Sequence, residues 1–121
     1  MDQRSQGRDA ETAAAEFLET EGVRILERNF NCRAGEIDLI GHDGDSLAFI
    51  EVRARREGAL VDGLASVAER KRRQLIRAAR YYLHRYGLDN CFCRFDMIAV
   101  TIAPDTGYRF EWIPNAFDAT P

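Results

Sequence analysis

The stretch GEIDLIGHDGDSLAFIEVRAR, residues 35–55, contains two apolar runs, and each run carries a carboxylate where a hydrophobic residue is expected. Asp38 lies within the first run and Glu51 within the second. The Asp-Gly pair between the runs is a strong signal for a tight hairpin, which would bring the two acids near each other on adjacent strands. Two partly buried carboxylates repel each other and lose hydration. The pair therefore predicts a bound positive charge.

Two kinds of positive partner are available for this pair. A hard cation such as Mg²⁺ prefers a few carboxylates and waters as ligands. Arg53, two residues after Glu51, should lie on the same face of its strand. Its guanidinium can stabilise a phosphate but cannot exchange a proton. Carboxylates in strands are also found in ion pairs without a metal, so a purely structural role is the alternative.

A third acid, Glu11, lies in the first predicted helix. The apolar residues of that helix recur at i, i+3, i+4, i+7 and i+8 from Ala10, which is the stripe of an amphipathic helix. Glu11 lies at the edge of the stripe and is placed to lean toward the sheet. A purely solvent-facing role for Glu11 is an equal alternative to a role in the site, because solvated acids are common on helices. If Glu11 joins the other two, the three acids predict a metal site.

Lys71 is the only lysine among the 17 basic residues of the chain. On the helical wheel of the second long helix it falls in the middle of the apolar stripe, one turn from Val67 and from Leu75. A charged residue on a core face needs a partner or a path to water. Two hypotheses follow. Its ammonium extends to solvent at the helix edge, or it reaches the acids and supplies the exchangeable proton that Arg53 lacks.

Basic residues are concentrated in the middle of the chain. Residues 52–88 contain ten Arg or Lys and three Asp or Glu, whereas both flanking segments are acidic and the whole chain has a net charge of -3. This asymmetry can mark a face that holds a phosphate backbone, although a solvated helix surface is the simpler alternative. The candidate nucleic-acid contacts are Arg53, Arg55, Arg56, Arg70, Arg72 and Arg73.

Seven predicted elements position these residues. Their order, α-β-β-β-α-β-β, together with nearly continuous apolar strands, predicts an α/β sandwich with a mixed sheet covered on more than one side. The 121 residues suit a single domain, with a core from about residue 7 to 117. Helices are predicted from Gly7 to Glu21 and from Leu64 to Tyr86, and strands at 23–30, 36–41, 46–54, 93–103 and 108–113.

Other polar residues are interpreted as structural. Arg94 and Asp96 are two residues apart on one strand, which predicts an internal salt bridge. Glu36 is expected to join the acids or to bind nearby arginines. Trp112 is expected to cover the core.

The composition predicts a cytoplasmic protein. No apolar run is long enough for a membrane span, and the first residues lack the apolar core of a signal peptide. The three cysteines are odd in number and lack the paired spacing of a zinc site. We expect them to be reduced packing residues.

As a whole, the chain resembles the PD-(D/E)XK nuclease superfamily. It is similar in particular to the YraN or UPF0102 family of uncharacterised bacterial proteins, which are themselves similar to archaeal Holliday junction resolvases. The motifs that carry the resemblance occur in order from about Gly7 to Phe117 and cover nearly the whole chain. They are GRDAETAAAEFL, RILERNF, CRAGEIDLI, FIEVRAR, RFDMIAV and EWIPNAF.

The resemblance implies a restriction endonuclease-like three-layer sandwich, with a central mixed β-sheet flanked by helices. The metal acids of the superfamily fall on Asp38 and Glu51, and the acid of its first helix falls on Glu11. The position of its catalytic lysine falls on Arg53, which is a departure from the pattern. Ala10 is a second departure, because this family usually has glycine there. The similar archaeal resolvases act as dimers, so a homodimer is expected.

Two functions are therefore in view. The first is a Mg²⁺- or Mn²⁺-dependent endonuclease acting on DNA, including branched or junction DNA, with Asp38, Glu51, Arg53 and Lys71 as its catalytic residues. The second is a nucleic-acid-binding module that kept the fold without efficient chemistry, since fold does not guarantee activity. Arg53 at the lysine position makes the second function a real alternative.

Overall fold

A computed structural model of the chain describes residues 3–58, 69–105 and 107–117, with side chains from residue 9 onward. The order of its elements is the predicted one. The five strands form one sheet in the order β1-β2-β3-β4-β5, and all neighbours are antiparallel except β3 and β4, which are parallel. The elements are α1 (Gln3–Thr20), β1 (Arg24–Cys32), β2 (Gly35–Asp43), β3 (Ser46–Arg56), α2 (Glu69–Arg85), β4 (Phe92–Ala103) and β5 (Gly107–Phe117).

Helices cover the sheet on both faces, which explains why its central strands are almost continuously apolar. On one face, the buried residues of α1 pack with Leu39, Ile50 and Ile98. On the other face, the buried residues of α2 pack with Phe49 and Phe95. The predicted three-layer α/β sandwich is therefore confirmed. No described helix is both long and apolar enough to cross a membrane.

The hairpin that carries the two acids forms as predicted. Its turn contains Gly44, whose φ of 59° is a left-handed conformation that glycine adopts without a steric cost. The last register pair of β2 and β3 in the direction of the acids is Leu39 with Ile50. Asp38 and Glu51 come directly after this pair, at the point where the two strands separate.

Some element boundaries differ from the predicted ones. α1 begins at Gln3 rather than Gly7, and β5 continues to Phe117 rather than ending at residue 113. The predicted start of the second helix, residues 64–68, lies outside the described residues. That helix ends at Arg85, shortly before Gly87, whose φ of 67° is typical of a residue that follows a helix.

The predicted salt bridge between Arg94 and Asp96 is present and belongs to a larger buried network. Asp96 is 1% exposed, and Arg94 Nε donates to its Oδ1 at 3.0 Å. Trp112 Nε1 donates to Oδ2 at 3.1 Å, and the backbone N–H of Asn115 donates to Oδ1 at 2.9 Å. Arg94 also pairs with Asp43 at 2.8 Å. The network ties β4 to β5 and to the β2–β3 turn. β5 continues past its predicted end, where Asn115 takes part in the network.

The expectation that all three cysteines are packing residues was wrong. The thiols are free, and Cys32 is half-buried, but Cys91 and Cys93 are exposed. They lie just before and at the start of β4, whereas burial in that strand begins at Phe95. The two thiols are therefore outside the covered part of the sheet.

Replacing Asp96 with alanine should destabilise the protein, because Arg94 would keep only Asp43 as a partner and the N–H groups of Trp112 and Asn115 would lose their acceptor. Leaving a partly buried donor without its acceptor costs about 1–3 kcal/mol. Urea unfolding of the wild type, Asp96→Ala and Asp96→Asn measures the effect, and the asparagine variant should lose less because it keeps one acceptor. A loss below about 1 kcal/mol for Asp96→Ala would show that the network contributes little.

Candidate active site

Asp38 is held by the backbone of the neighbouring strand at the point where β2 and β3 separate. The backbone N–H of Val52 donates to Asp38 Oδ2 at 2.8 Å. Burial raises the pKa of Asp38, while this hydrogen bond and the charge of Lys71 oppose the rise. The carboxylate therefore has a fixed direction and a fixed acceptor role in the sheet.

A left-handed residue interrupts β1 directly opposite Asp38. Asn29 has a φ of 54°, a conformation that asparagine tolerates better than most residues. Before it, the β1–β2 pairs include Leu39, which packs with α1. After it, Phe30 pairs with Ile37, and both pack with α2. At Asn29 and Asp38, the side chains of β1 and β2 therefore switch between the face covered by α1 and the face covered by α2.

This change of face corrects a prediction made from strict strand alternation. Alternation predicts that Glu36, Asp38 and Ile40 share one face and that Ile37 lies on the other. Ile37 and Ile40 instead belong to the same buried cluster beneath α2, so the alternation is not maintained across Asp38. The left-handed backbone of Asn29 on the adjoining strand gives a physical reason, because it twists the pair of strands at this level.

Glu11 joins the site from α1, as predicted. When the Asn29 amide nitrogen faces the carboxylates, it donates to Glu11 Oε2 at 2.8 Å and to Glu36 Oε1 at 3.2 Å. Burial and the charges of Asp38 and Glu36 raise the pKa of Glu11 to about 7, although the Asn29 contact opposes the rise. Glu36 therefore lies with the acids, which was one of its two expected roles.

Asn29 is a site residue that the sequence interpretation missed. It lies in the motif RILERNF, where an asparagine precedes a phenylalanine inside a run that otherwise predicts a strand. Asparagine is unfavourable in strands and tolerant of left-handed backbone. That combination was the available signal for a special backbone position.

Glu51 approaches from the face covered by α2. Its side chain is 13% exposed, and its Oε1 lies 3.7 Å from Lys71 Nζ. Its Oε2 is buried and has no hydrogen-bond partner among the described residues. Burial and the charge of Asp38 raise the pKa of Glu51 to about 7, whereas Lys71 and Arg53 lower it.

Asp38 is the common partner of the two outer acids. After burial, the charge of Asp38 is the largest cause of the raised pKa of both Glu11 and Glu51. The acids meet in pairs through Asp38. Within the described ranges, no three His, Cys, Asp or Glu side chains are already arranged around one ion position.

Lys71 combines the placements of the two hypotheses, because its ammonium lies at the solvent-exposed edge of the helix and also 3.7 Å from Glu51 Oε1. Its side chain is 37% exposed, so the ammonium lies at the edge of the helix and contacts both Glu51 and water. The helix is anchored beyond this point by Leu75, Ala78, Ala79 and Tyr82, which are buried against the sheet. The position of Lys71 at one end of this apolar stripe directs it to the acids.

The predicted nucleic-acid contacts fall into two groups. Arg53 is close enough to Glu51 to lower its pKa, and Arg55 Nε donates to Thr101 Oγ1 at 3.3 Å on β4. The remaining four arginines are exposed, namely Arg56, Arg70, Arg72 and Arg73. Of the six, the structure brings Arg53 close to Glu51, and four of the other five are exposed.

Comparison with known proteins gives a consistent family match. The family model described as "Uncharacterised protein family UPF0102" matches residues 10–100. The UPF0102 protein of Marinobacter nauticus is 49% identical, with 96% of this chain and 94% of the relative covered. That of Chromohalobacter salexigens is 49% identical, with 98% and 94% covered, and that of Stutzerimonas stutzeri is 46% identical, with 95% and 96% covered.

The protonated form of Glu51 should make stability depend on pH. An unfolded glutamate ionises near 4.5 and folded Glu51 near 7, so between these values the folded state binds more protons. Its contribution to stability is complete below about 4.5 and is lost as the pH rises through about 7. Glu51→Gln should remove this loss and be about 1–3 kcal/mol more stable than the wild type at pH 8.

Urea unfolding between pH 4 and pH 8 measures this dependence. Glu16→Gln is the matched control, because Glu16 is an exposed acid of α1 outside the site, and it should follow the wild-type curve. Identical slopes for Glu51→Gln and the wild type would contradict a raised pKa of Glu51.

Proposed function

We propose that this chain, which belongs to the UPF0102 family, is a metal-dependent endonuclease that hydrolyses phosphodiester bonds in DNA. The observation that carries the proposal is the convergence of Glu11, Asp38 and Glu51 from three elements beside the ammonium of Lys71. Acids that are buried together cost stability, so the arrangement calls for a functional explanation. The resemblance to PD-(D/E)XK nucleases supports the same function.

The donor set of the acids fits a hard divalent cation. Mg²⁺ and Mn²⁺ favour carboxylate oxygens and water as ligands, and the three acids offer only oxygen. Glu51 Oε2, a buried oxygen without a partner among the described residues, is an acceptor that a cation would satisfy. Asp38 and Glu51 would hold the ion, with Glu11 as a further ligand. A bound ion polarises the scissile phosphate and lowers the pKa of a bound water.

In the superfamily pattern a single lysine on β3 takes part in catalysis. In this chain Lys71 and Arg53 would each take over part of the role of that lysine. Lys71 Nζ, 3.7 Å from Glu51 Oε1, is a donor that can orient a water or a phosphate oxygen and can also exchange a proton. Arg53 cannot lose its proton and is therefore limited to stabilising negative charge on the phosphate. Both side chains favour the ionised form of Glu51, the form that a cation needs.

The basic residues around the acids would hold the DNA backbone. α2 contains seven Arg or Lys and a single acid, Glu69, in its first turn. Arginines bind phosphates without reading the bases, and such binding weakens steeply with salt. The resemblance to junction resolvases extends the proposal to branched DNA and to a homodimer, in which two sites would act on two strands.

A nucleic-acid-binding module without catalysis is the second candidate function. Arg53 favours it, because β3 lacks the lysine of the superfamily pattern. The two candidates differ in what the acids are for. A module that only binds DNA has no need of three converging carboxylates, whereas a nuclease needs them for its metal.

Asp38→Asn should abolish both cleavage and stabilisation by metal. Mg²⁺ or Mn²⁺ should raise the Tm of the wild type, because a ligand that binds only the folded state stabilises it. Cleavage is assayed on duplex, single-stranded, flapped and four-way DNA, with either metal or with EDTA. Asp45→Asn, at an exposed acid of the hairpin turn, is the control and should behave as the wild type.

Two outcomes would count against the nuclease. If metal raises the Tm of the wild type but no DNA is cleaved, the binding module is the better description. If the wild type and Asp38→Asn respond equally to metal, the three acids do not form the metal site.

Lys71→Arg and Lys71→Met should both lose cleavage, by at least about a hundredfold for a group that moves a proton. Both variants should keep their fold and their metal-induced rise in Tm. Arg72→Met is the control, since Arg72 is the next residue of α2 and is exposed. Full cleavage by Lys71→Met would remove Lys71 from the mechanism.

A further inference from the structure

Two large aromatic side chains are exposed in the C-terminal half of α2 and just after it. Tyr81 is 47% exposed and Tyr86 is 48% exposed. Each contacts a buried ring: the centroids of Tyr86 and Tyr82 are 4.8 Å apart, and those of Tyr81 and Phe30 are 6.2 Å apart. The buried rings hold the two tyrosines in place, and about half of each side chain stays open to solvent.

An arginine lies between these tyrosines. The Arg85 guanidinium is 5.6 Å from the centroid of the Tyr86 ring. The proximity of Tyr86 and Tyr81 raises the pKa of Arg85. Tyr81, Arg85 and Tyr86 thus form an exposed group of two rings and a cation, called here the tyrosine cluster. The acids and Lys71 lie near the other end of the helix.

A row of exposed arginines runs along the outer side of α2, from the end of the helix that carries Lys71 toward the tyrosine cluster. From Lys71 to Arg85 the helix advances by about 21 Å, at 1.5 Å per residue. The arginines of the row are Arg70, Arg73, Arg77 and Arg80, and all are exposed.

Exposed rings beside arginines suit unpaired bases better than they suit a duplex. Every base has a π-face, so stacking on an aromatic side chain tolerates any sequence. A duplex keeps its base faces inside the stack and offers mainly phosphates to the arginines. Duplex binding would therefore use the arginine row and gain little from the two tyrosines.

We infer that the tyrosine cluster of Tyr81, Arg85 and Tyr86 binds an unpaired DNA strand whose phosphates follow the arginine row from the acid site. The inference rests on the proposed function for the identity of the nucleic acid. It narrows the substrate of the nuclease to DNA that has a single-stranded arm, with the scissile phosphate at one end of α2 and unpaired bases at the other.

Fluorescence anisotropy tests the inference in EDTA, where neither metal nor cleavage contributes. The probes are a labelled oligothymidylate of about twelve nucleotides and a duplex of the same length. Tyr81→Ala and Tyr86→Ala should each weaken binding of the single strand at least about fivefold and change duplex binding less than about twofold. The phenylalanine variants at both positions should bind normally, because they keep the ring.

Tyr108→Ala is the matched control. Tyr108 lies on β5 and is 38% exposed, so its loss should alter neither affinity. Unchanged single-strand binding by both alanine variants would overturn the inference. Equal losses for single strand and duplex would also overturn it, because the cluster would then contribute to phosphate binding alone.

Photo-crosslinking of the wild type makes the test independent of how well the variants fold. A strand that contains 5-iodouracil should crosslink to Tyr81 or Tyr86, and crosslinks confined to other residues would reject the cluster.

Single-strand binding through the cluster without cleavage in Mg²⁺ or Mn²⁺ would reject the nuclease and leave the inference standing. Cleavage with no contribution from the cluster would reject the inference alone.

Discussion

Where β2 and β3 stop pairing, the carboxylate of Asp38 accepts the backbone N–H of Val52 at 2.8 Å, and the geometry of the acid site depends on this contact. It fixes Asp38 between the two faces of the sheet, so that Glu11 can approach from α1 and Glu51 from the side of α2. Asn29 contributes on the adjoining strand, because its left-handed backbone accompanies the change of face at the same level. Two local departures from regular strand geometry thus produce one meeting point.

The chain treats its buried carboxylates in two different ways. Asp96 is fully buried and accepts hydrogen bonds from Arg94, Trp112 and the backbone of Asn115, so it is satisfied and ties strands together. Asp38 raises the pKa of both Glu11 and Glu51, and Glu51 Oε2 has no partner among the described residues. A satisfied buried acid stabilises a fold, whereas crowded acids weaken it. This contrast separates the structural carboxylate from those that we assign to function.

α2 serves three purposes because its side chains repeat every 3.6 residues. One side packs into the core through Leu75, Ala78, Ala79 and Tyr82. Lys71 lies at the end of that side nearest the acids, where a lysine can contact Glu51 and still reach water. The outer side carries arginines and ends near the exposed tyrosines. A phosphate backbone that follows the outer side would therefore lead toward the acids, as the proposed nuclease requires.

The sequence alone determined the order of the elements, the hairpin, the sheet covered on both faces, the family, and the placement of Asp38, Glu51, Glu11 and Lys71 as candidates. These features follow from local properties, namely helical and strand periodicity, turn residues and short motifs. Such properties can be recognised in the sequence without knowledge of the tertiary structure. The tertiary structure decided the face change at Asn29, the joining of Glu36 to the acids, the contact of Lys71 with Glu51 and the exposure of Cys91 and Cys93. These depend on how strands twist and on which distant residues meet, and no local pattern specifies either.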